Sequence, residues 1–303
     1  MIRQGFTHLP SVSVKHFRPL LLWITLLFSF PISAEINLIF GLYTSDKPTT
    51  MVTKFRPFIN TLEAQLTHKL QQPVHIRMHI SSNYNDGVEA LTSGKVDFSR
   101  LGPASYITAK NTNANLQLLA IEAKKGKKRF DGVIAVQTDS SITKPEQLAG
   151  KRFAFGSEQS TIGRYLSQTY LADHHIFATD LAKFDYLGRH DAVGAAVAAG
   201  RYDAGALKES TFNKLRTKGV LLREIARFPN VTKPWVAKAG LNDEIFQALS
   251  ALLIASNESN ALYKNSLSKN GFLAGDDSDY DIIRKSMKDN RFFQPMRLND
   301  QVR

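Results

Sequence analysis

Cysteine is absent from the 303 residues of the chain. Its absence excludes disulfide scaffolds, thiolate zinc sites, iron–sulfur clusters, cysteine nucleophiles and the lipid-modified cysteine of a bacterial lipoprotein. Familiar catalytic motifs are missing too, since the sequence holds no GxSxG elbow, no HExxH and no phosphate-binding P-loop. We therefore expect a protein that is not an enzyme and that has neither a metal site nor a cofactor.

Acidic side chains are few relative to basic ones, with 27 Asp and Glu against 39 Lys and Arg and a formal charge of +12. Such a surplus suits nucleic acid or acidic membranes, but no nucleic-acid-binding motif accompanies it. Three of the surplus charges are Arg3, Lys15 and Arg18, and five more lie in the loop 124–129. We therefore expect no nucleic-acid partner and interpret the charge as a field that favours small anions.

Long apolar runs are also scarce, and the clearest one, at 20–30, lies near the N-terminus. As a helix it would rise about 16 Å, which is short of the roughly 30 Å hydrocarbon core of a membrane. The basic residues before it and the small residues up to Ala34 are typical of a secretory signal peptide. The sequence thus predicts a signal peptide over 1–34 and a periplasmic protein that is not a lipoprotein. An uncleaved anchor is the alternative.

Beyond the N-terminus, short apolar runs alternate with amphipathic stretches, which predicts strands separated by helices. Such an order favours sheets that are largely parallel and covered by helices on both faces. The predicted strands are 36–42, 73–80, 96–101, 116–120, 133–137, 151–156, 184–187, 203–207, 221–226 and 234–239. The predicted helices are 55–70, 83–93, a short one after Pro103, a turn at 144–148, then 162–173, 191–199, 243–256 and 279–290.

The alternation starts twice, which predicts an α/β clamshell of two lobes, each a mostly parallel sheet flanked by helices. Lobe 1 is expected to comprise 35–132 and 228–303, and lobe 2 to comprise 133–227. The chain would cross between them at hinges near 133–137 and 221–227. Ligands of open α/β sheets bind at the carboxyl ends of strands, so the cleft between the lobes is the expected site.

Three strand-to-helix junctions, at 81–84, 102–106 and 156–163, are rich in small hydroxylated residues. Each places backbone N–H groups and hydroxyl donors at a helix N-terminus, which suits a carboxylate, phosphate or phosphonate. Tyr84 and Tyr106 stand at two of these junctions and could wall the pocket, or each could pack on its own helix. Serine, threonine and asparagine are also ordinary helix caps, so one junction alone indicates little, whereas three that converge indicate an anion site.

His190 begins the helix that follows the strand 184–187. An imidazole at that place could donate a hydrogen bond to an oxyanion. The alternative is a side chain that faces solvent beside the helix cap, and the sequence leaves both open.

Three collinear segments resemble one known family. They are SSNYNDGVEALTSGKVDFSRLGPASYITA at 81–109, KRFAFGSEQSTIGRYL at 151–166 and GRHDAVGAAVAAGRYDAGAL at 188–207. These segments are similar to motifs of the periplasmic phosphate-, phosphite- and phosphonate-binding proteins of ABC importers. The resemblance extends over nearly all of the chain beyond the signal peptide and implies the type II periplasmic-binding-protein fold.

The resemblance also implies which residues bind the ligand. The family's oxyanion contacts fall on Ser160 and Thr161, with His190 from the second lobe. The family's pocket tyrosines fall on Tyr84 and Tyr106. These five positions are the expected ligand contacts.

Two departures from the family pattern bear on the ligand. Ile162 replaces a loop hydroxyl and so removes one donor from the anion cradle. After the strand 203–207, where relatives often carry an aspartate that can meet a ligand amine, this chain has Lys208 and Glu209. Glu209 is the expected replacement contact, whereas Lys208, if it lies in the cleft rather than in solvent, favours a more anionic ligand.

The resemblance implies a monomeric solute-binding protein that closes on a small oxyanion and delivers it to an ABC permease. An alternative with the same fold is a sensing module that hands its closed form to a membrane histidine kinase or cyclase. The sequence does not decide between the permease and the membrane sensor as partner. An enzyme on this scaffold would need a nucleophile or paired carboxylates in the cleft, and the motifs offer none.

Overall fold

The structure is a computed structural model, and it describes residues 35–44, 47–255, 271–289, Met1, Gly5 and Phe293. The predicted signal peptide at 1–34 therefore lies outside the described residues, apart from Met1 and Gly5. From Ala34 onward the chain forms one compact unit. None of the helices in the described part is long and apolar enough to cross a membrane.

The described strands, in chain order, are β1 (Ile36–Tyr43), β2 (Val74–Ser81), β3 (Phe98–Arg100), β4 (Gln117–Glu122), β5 (Arg129–Gln137), β6 (Arg152–Phe155), β7 (Lys183–Tyr186), β8 (Ala204–Lys208), β9 (Leu222–Val231), β10 (Pro234–Ala237) and β11 (Phe272–Leu273). The α-helices are α1 (Pro48–Leu70), α2 (Tyr84–Thr92), α3 (Pro103–Thr112), α4 (Ser167–Asp173), α5 (His190–Ala198), α6 (Glu209–Thr217), α7 (Asp243–Ala255) and α8 (Asp281–Asp289). Short 3-10 helices lie at Pro145–Leu148, Ala178–Asp180 and Asp277–Tyr280.

These strands form two sheets, which confirms the predicted two-sheet α/β class. The first sheet has the order β11-β4-β10-β3-β1-β2, and the second has the order β7-β6-β8-β5-β9. In the first, β1 pairs in parallel with β2 and β3, while β10 is antiparallel to both β3 and β4, so β4 runs in the same direction as β3. In the second, β6 pairs in parallel with β7 and β8, and β5 is antiparallel to β8 and β9.

The side chains of β1 alternate between the two faces of the first sheet, as expected of a strand with helices on both sides. Phe40 belongs to one apolar cluster, where its ring stacks 4.6 Å from Trp235 and meets Phe55 of α1. Tyr43 belongs to the other cluster, with Tyr84 of α2. Both faces of the sheet are therefore buried, and β1 ends at the edge where α2 and α3 begin.

Several element bounds differ from the prediction. α1 begins at Pro48 rather than at 55, because proline is favoured in a first turn, and it continues through Pro57. The predicted helix 162–173 begins as a π-helical turn, Thr161–Leu166, before α4 continues it. The sequence prediction missed α6 and β11, which are a strongly polar helix and a strand of two residues.

The chain passes between the sheets at 123–128 and at 232–233, because β4 and β10 belong to the first sheet and β5 and β9 to the second. The hinges predicted near 133–137 and 221–227 are wrong in position, since those residues pair with each other in the second sheet. The apolar run at 133–137 is buried there, and the polar loop before it makes the crossing. The predicted lobe bounds stay a prediction.

Candidate functional site

A cavity that is open to solvent is lined by residues from both sheets, and its empty space, with the adjoining solvent, is about 450 Å³. Four residues predicted to bind the ligand, Tyr84, Ser160, Thr161 and His190, are among those that line it. The other lining residues are Leu42, Tyr43, Met51, Arg100, Gly102, Pro103, Phe130, Ile162, Lys208, Asn230 and Lys233.

The wall from the first sheet is built around Tyr43, the last residue of β1. Its hydroxyl accepts a hydrogen bond from the Gly102 N–H at 2.5 Å and shares another with Ser105 Oγ at 3.0 Å. Burial raises the pKa of Tyr43, which keeps the phenol protonated. The Tyr84 ring lies 4.2 Å from the Tyr43 ring, centroid to centroid. This pair fixes the start of α2 against the start of α3.

Thr161 joins the two sides of the cavity. Its hydroxyl oxygen accepts a hydrogen bond of 2.9 Å from the N–H of Ala104, which lies in the first turn of α3. Thr161 follows β6 of the second sheet, whereas α3 follows β3 of the first, so this bond spans the cleft. The N-terminus of α3 is therefore capped by a side chain from the opposite side of the cavity.

The loop that carries Ser160 is held by hydrogen bonds of its own. Ser160 Oγ accepts from the Gly163 N–H at 2.9 Å and its carbonyl accepts from the Tyr165 N–H at 3.3 Å, so Ser160 caps the π-helical turn. The Gly156 N–H donates to the Gly163 carbonyl at 2.7 Å. A Cβ on Gly163 would lie only 2.7 Å from the Gly156 Cα, so glycine is required at this crossing of the backbone. π-Helical turns are rare and often mark functional sites.

His190 begins α5 and is only 4% exposed, so the solvent-facing alternative for this side chain is wrong. Its ring lies beside Gly156, where an added Cβ would be 3.7 Å from the imidazole. The imidazole thus reaches the cavity floor next to the Ser160 loop, at the N-terminus of a helix. That position suits donation to an oxyanion.

Three basic side chains also line the cavity, those of Arg100, Lys208 and Lys233, and the sequence points to Lys208 alone. Arg100 Nη2 donates to Glu122 at 2.8 Å, and Trp235 Nε1 donates to the same carboxylate at 3.1 Å. Burial raises the pKa of Glu122, but Arg100 and other cations lower it more, to about 2. Burial lowers the pKa of Lys233 well below its ordinary value, and Arg100 and Lys208 lower it further.

Asn230 is a lining residue that the sequence reasoning missed. It lies on β9, opposite Phe130 of β5, and is 2% exposed. Among the described residues, neither its amide nitrogen nor its amide oxygen has a hydrogen-bond partner. A buried amide without partners is costly, so its presence at a cavity wall points to a ligand. Only its place at the end of a long strand could have indicated it.

The structure does not bring Tyr106 and Glu209 to the cavity lining. The Tyr106 hydroxyl donates to Asp277 at 2.8 Å, and burial together with that carboxylate raises the pKa of Tyr106. Glu209 begins α6 and forms ion pairs with Lys124 and, at 2.7 Å, with Arg227. Both side chains therefore tie structural elements together at the sides of the site. No group of three His, Asp or Glu residues in the described part is placed to hold a metal ion.

Comparison with known proteins agrees with this geometry. A family model described as the periplasmic, phosphonate substrate-binding protein of ABC transporters matches residues 40–280. PhnD1 of Prochlorococcus marinus strain MIT 9301, described as a probable ABC transporter phosphite-binding protein, is 30% identical over 175 residues. That match covers 53% of this chain and 58% of PhnD1, so the chain spans little more than half the length of this curated relative.

Solved structures match over more of the chain. PhnD1 from Prochlorococcus marinus in complex with methylphosphonate matches with a TM-score of 0.73 and 21% identity, over 84% of this chain and 97% of that one. A binding protein component of an ABC phosphonate transporter from Pseudomonas aeruginosa matches with a TM-score of 0.73 and 18% identity, over 85% of this chain and 87% of that one. At these identities the likeness shows the type II periplasmic-binding-protein fold.

Proposed function

We propose a function from one established fact: the chain belongs to the family of phosphonate-binding, periplasmic substrate-binding proteins of ABC transporters. In that family the protein captures a solute and presents it to a permease, and no chemical step follows, so the family is not one of enzymes. We propose that this chain captures a small oxyanion, a phosphonate, phosphite or phosphate, in the cavity between its two sheets.

One observation carries this proposal. Tyr84 from one side of the cavity and Ser160, Thr161 and His190 from the other line the same space. The Thr161–Ala104 bond already joins the two sides there. A tetrahedral oxyanion needs several donors from different directions, and donors on two sheets let the ligand favour the closed arrangement.

The test is calorimetric titration of the purified, ligand-free protein with methylphosphonate, phosphite, phosphate and methanesulfonate. We expect one ligand per chain for at least one of the phosphorus oxyanions. The Tyr84→Phe variant should bind about tenfold or more weakly, since it loses one hydrogen bond to a charged group. The control is Tyr202→Phe, which removes a hydroxyl bonded to Asp185 away from the cavity. The absence of binding to all three phosphorus oxyanions would exclude the proposed function, whether or not methanesulfonate binds.

We further propose that residues 1–34 are a signal peptide cleaved after Ala34, that the protein carries no lipid and that it acts as a monomer. The absence of cysteine and the apolar run at 20–30 support the first two. The mass of the protein recovered from the periplasm, with its mass in solution by light scattering, tests all three. A retained N-terminus, an added lipid or a dimer would each contradict the corresponding part.

A further inference from the structure

A second opening, of about 760 Å³, adjoins the proposed ligand cavity. The two share the lining residues Met51, Arg100, Phe130, Lys208 and Lys233. Two more lysines, Lys54 and Lys124, line the second opening but not the first cavity. The boundary between the two spaces therefore carries three basic side chains, and the space beyond it carries two others.

Carboxylates are few in the lining of the two spaces, as far as the described residues show. Of the described residues that line either space, Glu122 is the one acidic residue, and Arg100 and Trp235 already donate to it. The Nζ of Lys233 lies 4.3 Å from the centroid of the Phe130 ring, and no carboxylate in the described part forms an ion pair with it. The pKa of Lys233 is lowered because burial and neighbouring cations disfavour its charge. An anion placed among these groups would relieve that cost.

We infer that the ligand carries a second anionic group, and that Lys233, Lys208 and Arg100 hold this group while Ser160, Thr161 and His190 hold the phosphonate. The chemical class is a phosphonate with a short anionic substituent, such as a carboxylate or a second phosphoryl group. This inference rests on the proposed function, because it assigns the other end of the same ligand.

Asn230 supports the same assignment from a different observation. Its buried amide lines the first cavity and has no partner among the described residues. Lys233 follows it by three positions, between β9 and β10. An amide can donate to one ligand oxygen and accept from a hydroxyl or a protonated oxygen, so it suits the middle of a ligand that extends toward the lysine.

The first experiment compares three phosphonates of matched length by calorimetry at low ionic strength. Phosphonoacetate ends in an anion, propylphosphonate in a methyl group and 2-aminoethylphosphonate in a cation. We expect phosphonoacetate to bind at least about tenfold more tightly than propylphosphonate, since hydrogen bonds to a charged group are the stronger ones. We expect 2-aminoethylphosphonate to bind most weakly of the three.

The second experiment asks whether Lys233 and Lys208 cause the preference for phosphonoacetate over propylphosphonate. Lys233→Met should reduce the ratio of the phosphonoacetate and propylphosphonate affinities to near one, and Lys208→Met should reduce it in part. The control is Lys214→Met, which makes the same substitution at an exposed position of α6. It should keep the ratio of the unmodified protein, because a distant surface charge is screened by solvent.

The outcomes separate this inference from the proposed function. If methylphosphonate binds but phosphonoacetate binds no better than propylphosphonate, the inference is wrong and the proposed function stands. A preference that survives unchanged in both Lys233→Met and Lys208→Met also overturns it, because the general field of the protein would then explain the preference. If phosphite or phosphate binds but no phosphonate does, the inference is wrong and the proposed function stands. If none of the phosphorus oxyanions binds, both fail.

Discussion

Thr161 is the residue whose single hydroxyl joins the two sides of the site. The Thr161→Val variant keeps the shape of the side chain but leaves the Ala104 N–H without an acceptor in a buried position. We expect the free energy of unfolding to fall by about 1 to 3 kcal/mol, the usual cost of an unsatisfied buried donor. Urea unfolding measures that fall, and calorimetry with methylphosphonate should show weaker binding in the same variant.

The matched control for this prediction is Thr112→Val. Thr112 lies at the end of α3, is exposed, and its hydroxyl donates only to the Thr108 carbonyl. It should change the free energy of unfolding by less than about 0.5 kcal/mol. If Thr161→Val is as stable as Thr112→Val, then the hydroxyl does not couple the two sides.

Glu122 makes stability depend on pH. Its pKa is about 2 in the folded protein, against an ordinary value of 4.5, so the ionised carboxylate favours the folded state. The contribution is fully present above about pH 4.5 and is lost as the pH falls toward 2, because the unfolded chain then binds the proton first. We expect Glu122→Gln to be less stable than the unmodified protein at pH 7 by roughly 3 kcal/mol.

Unfolding in urea at a series of pH values between 7 and 2 measures this difference. The gap between the two proteins should close as the pH falls from 4.5 to 2. The control is Glu89→Gln, at an exposed position of α2, for which the gap should be small throughout. A gap for Glu122→Gln that stays constant down to low pH would refute the assignment.

At the scale of elements, α1 contains Pro57 in its interior, at an exposed position. Proline removes one helical hydrogen bond, in this case to the Thr53 carbonyl, and crowds the preceding turn. We expect Pro57→Ala to raise the free energy of unfolding by about 1 to 2 kcal/mol, after the greater freedom of the unfolded chain is allowed for. Thermal unfolding measures the change. Arg56→Ala, also exposed, should leave stability within about 0.5 kcal/mol, and a loss of stability in Pro57→Ala would contradict the expectation.

Local pattern predicted the elements that are apolar and regular. The runs that became β1, β5 and β8 stand out because they are largely buried on a sheet and bounded by turns. The position of β10 between β3 and β4 could not be predicted in this way, because pairing between distant segments leaves no local pattern. α6 was missed because its residues are mostly polar.

The residues of the candidate site also fall into those that a local pattern predicts and those that depend on long-range pairing. Ser160, Thr161 and His190 stand at helix starts, where small polar residues after a strand are a recognisable pattern. Tyr43, Asn230 and Lys233 reach the cavity only through the way the strands are ordered and crossed. Tyr106 is the opposite case: the sequence predicts it as a ligand contact because its helix begins at the site, but its side chain bonds to Asp277 instead. Motif spacing places a residue on an element, whereas the direction of its side chain depends on packing.

At the scale of the whole molecule, Phe293 returns the chain to the second sheet. It is 2% exposed, belongs to the apolar cluster of that sheet and meets Phe155 edge-on at 5.7 Å. We expect Phe293→Ala to lower the free energy of unfolding by about 3 kcal/mol or more, because it leaves a cavity among aromatic rings. Urea unfolding measures the loss. Ile282→Ala, at an exposed position of α8, should cost far less, and similar losses for both would show that Phe293 does not anchor this end.

The C-terminal segment adds a further link between the two sheets. β11 pairs with β4 in the first sheet. Farther along the chain, Ser286 of α8 shares a hydrogen bond of 2.7 Å with Thr169 of α4, and Phe293 lies in the apolar cluster of the second sheet. Two crossings alone would let the lobes predicted from the sequence both swing and twist about the line that joins them. A third attachment off that line resists the twist, so we expect opening to follow essentially one rotational coordinate. The ligand would then enter and leave by a single route, and its release rate would report directly on that rotation.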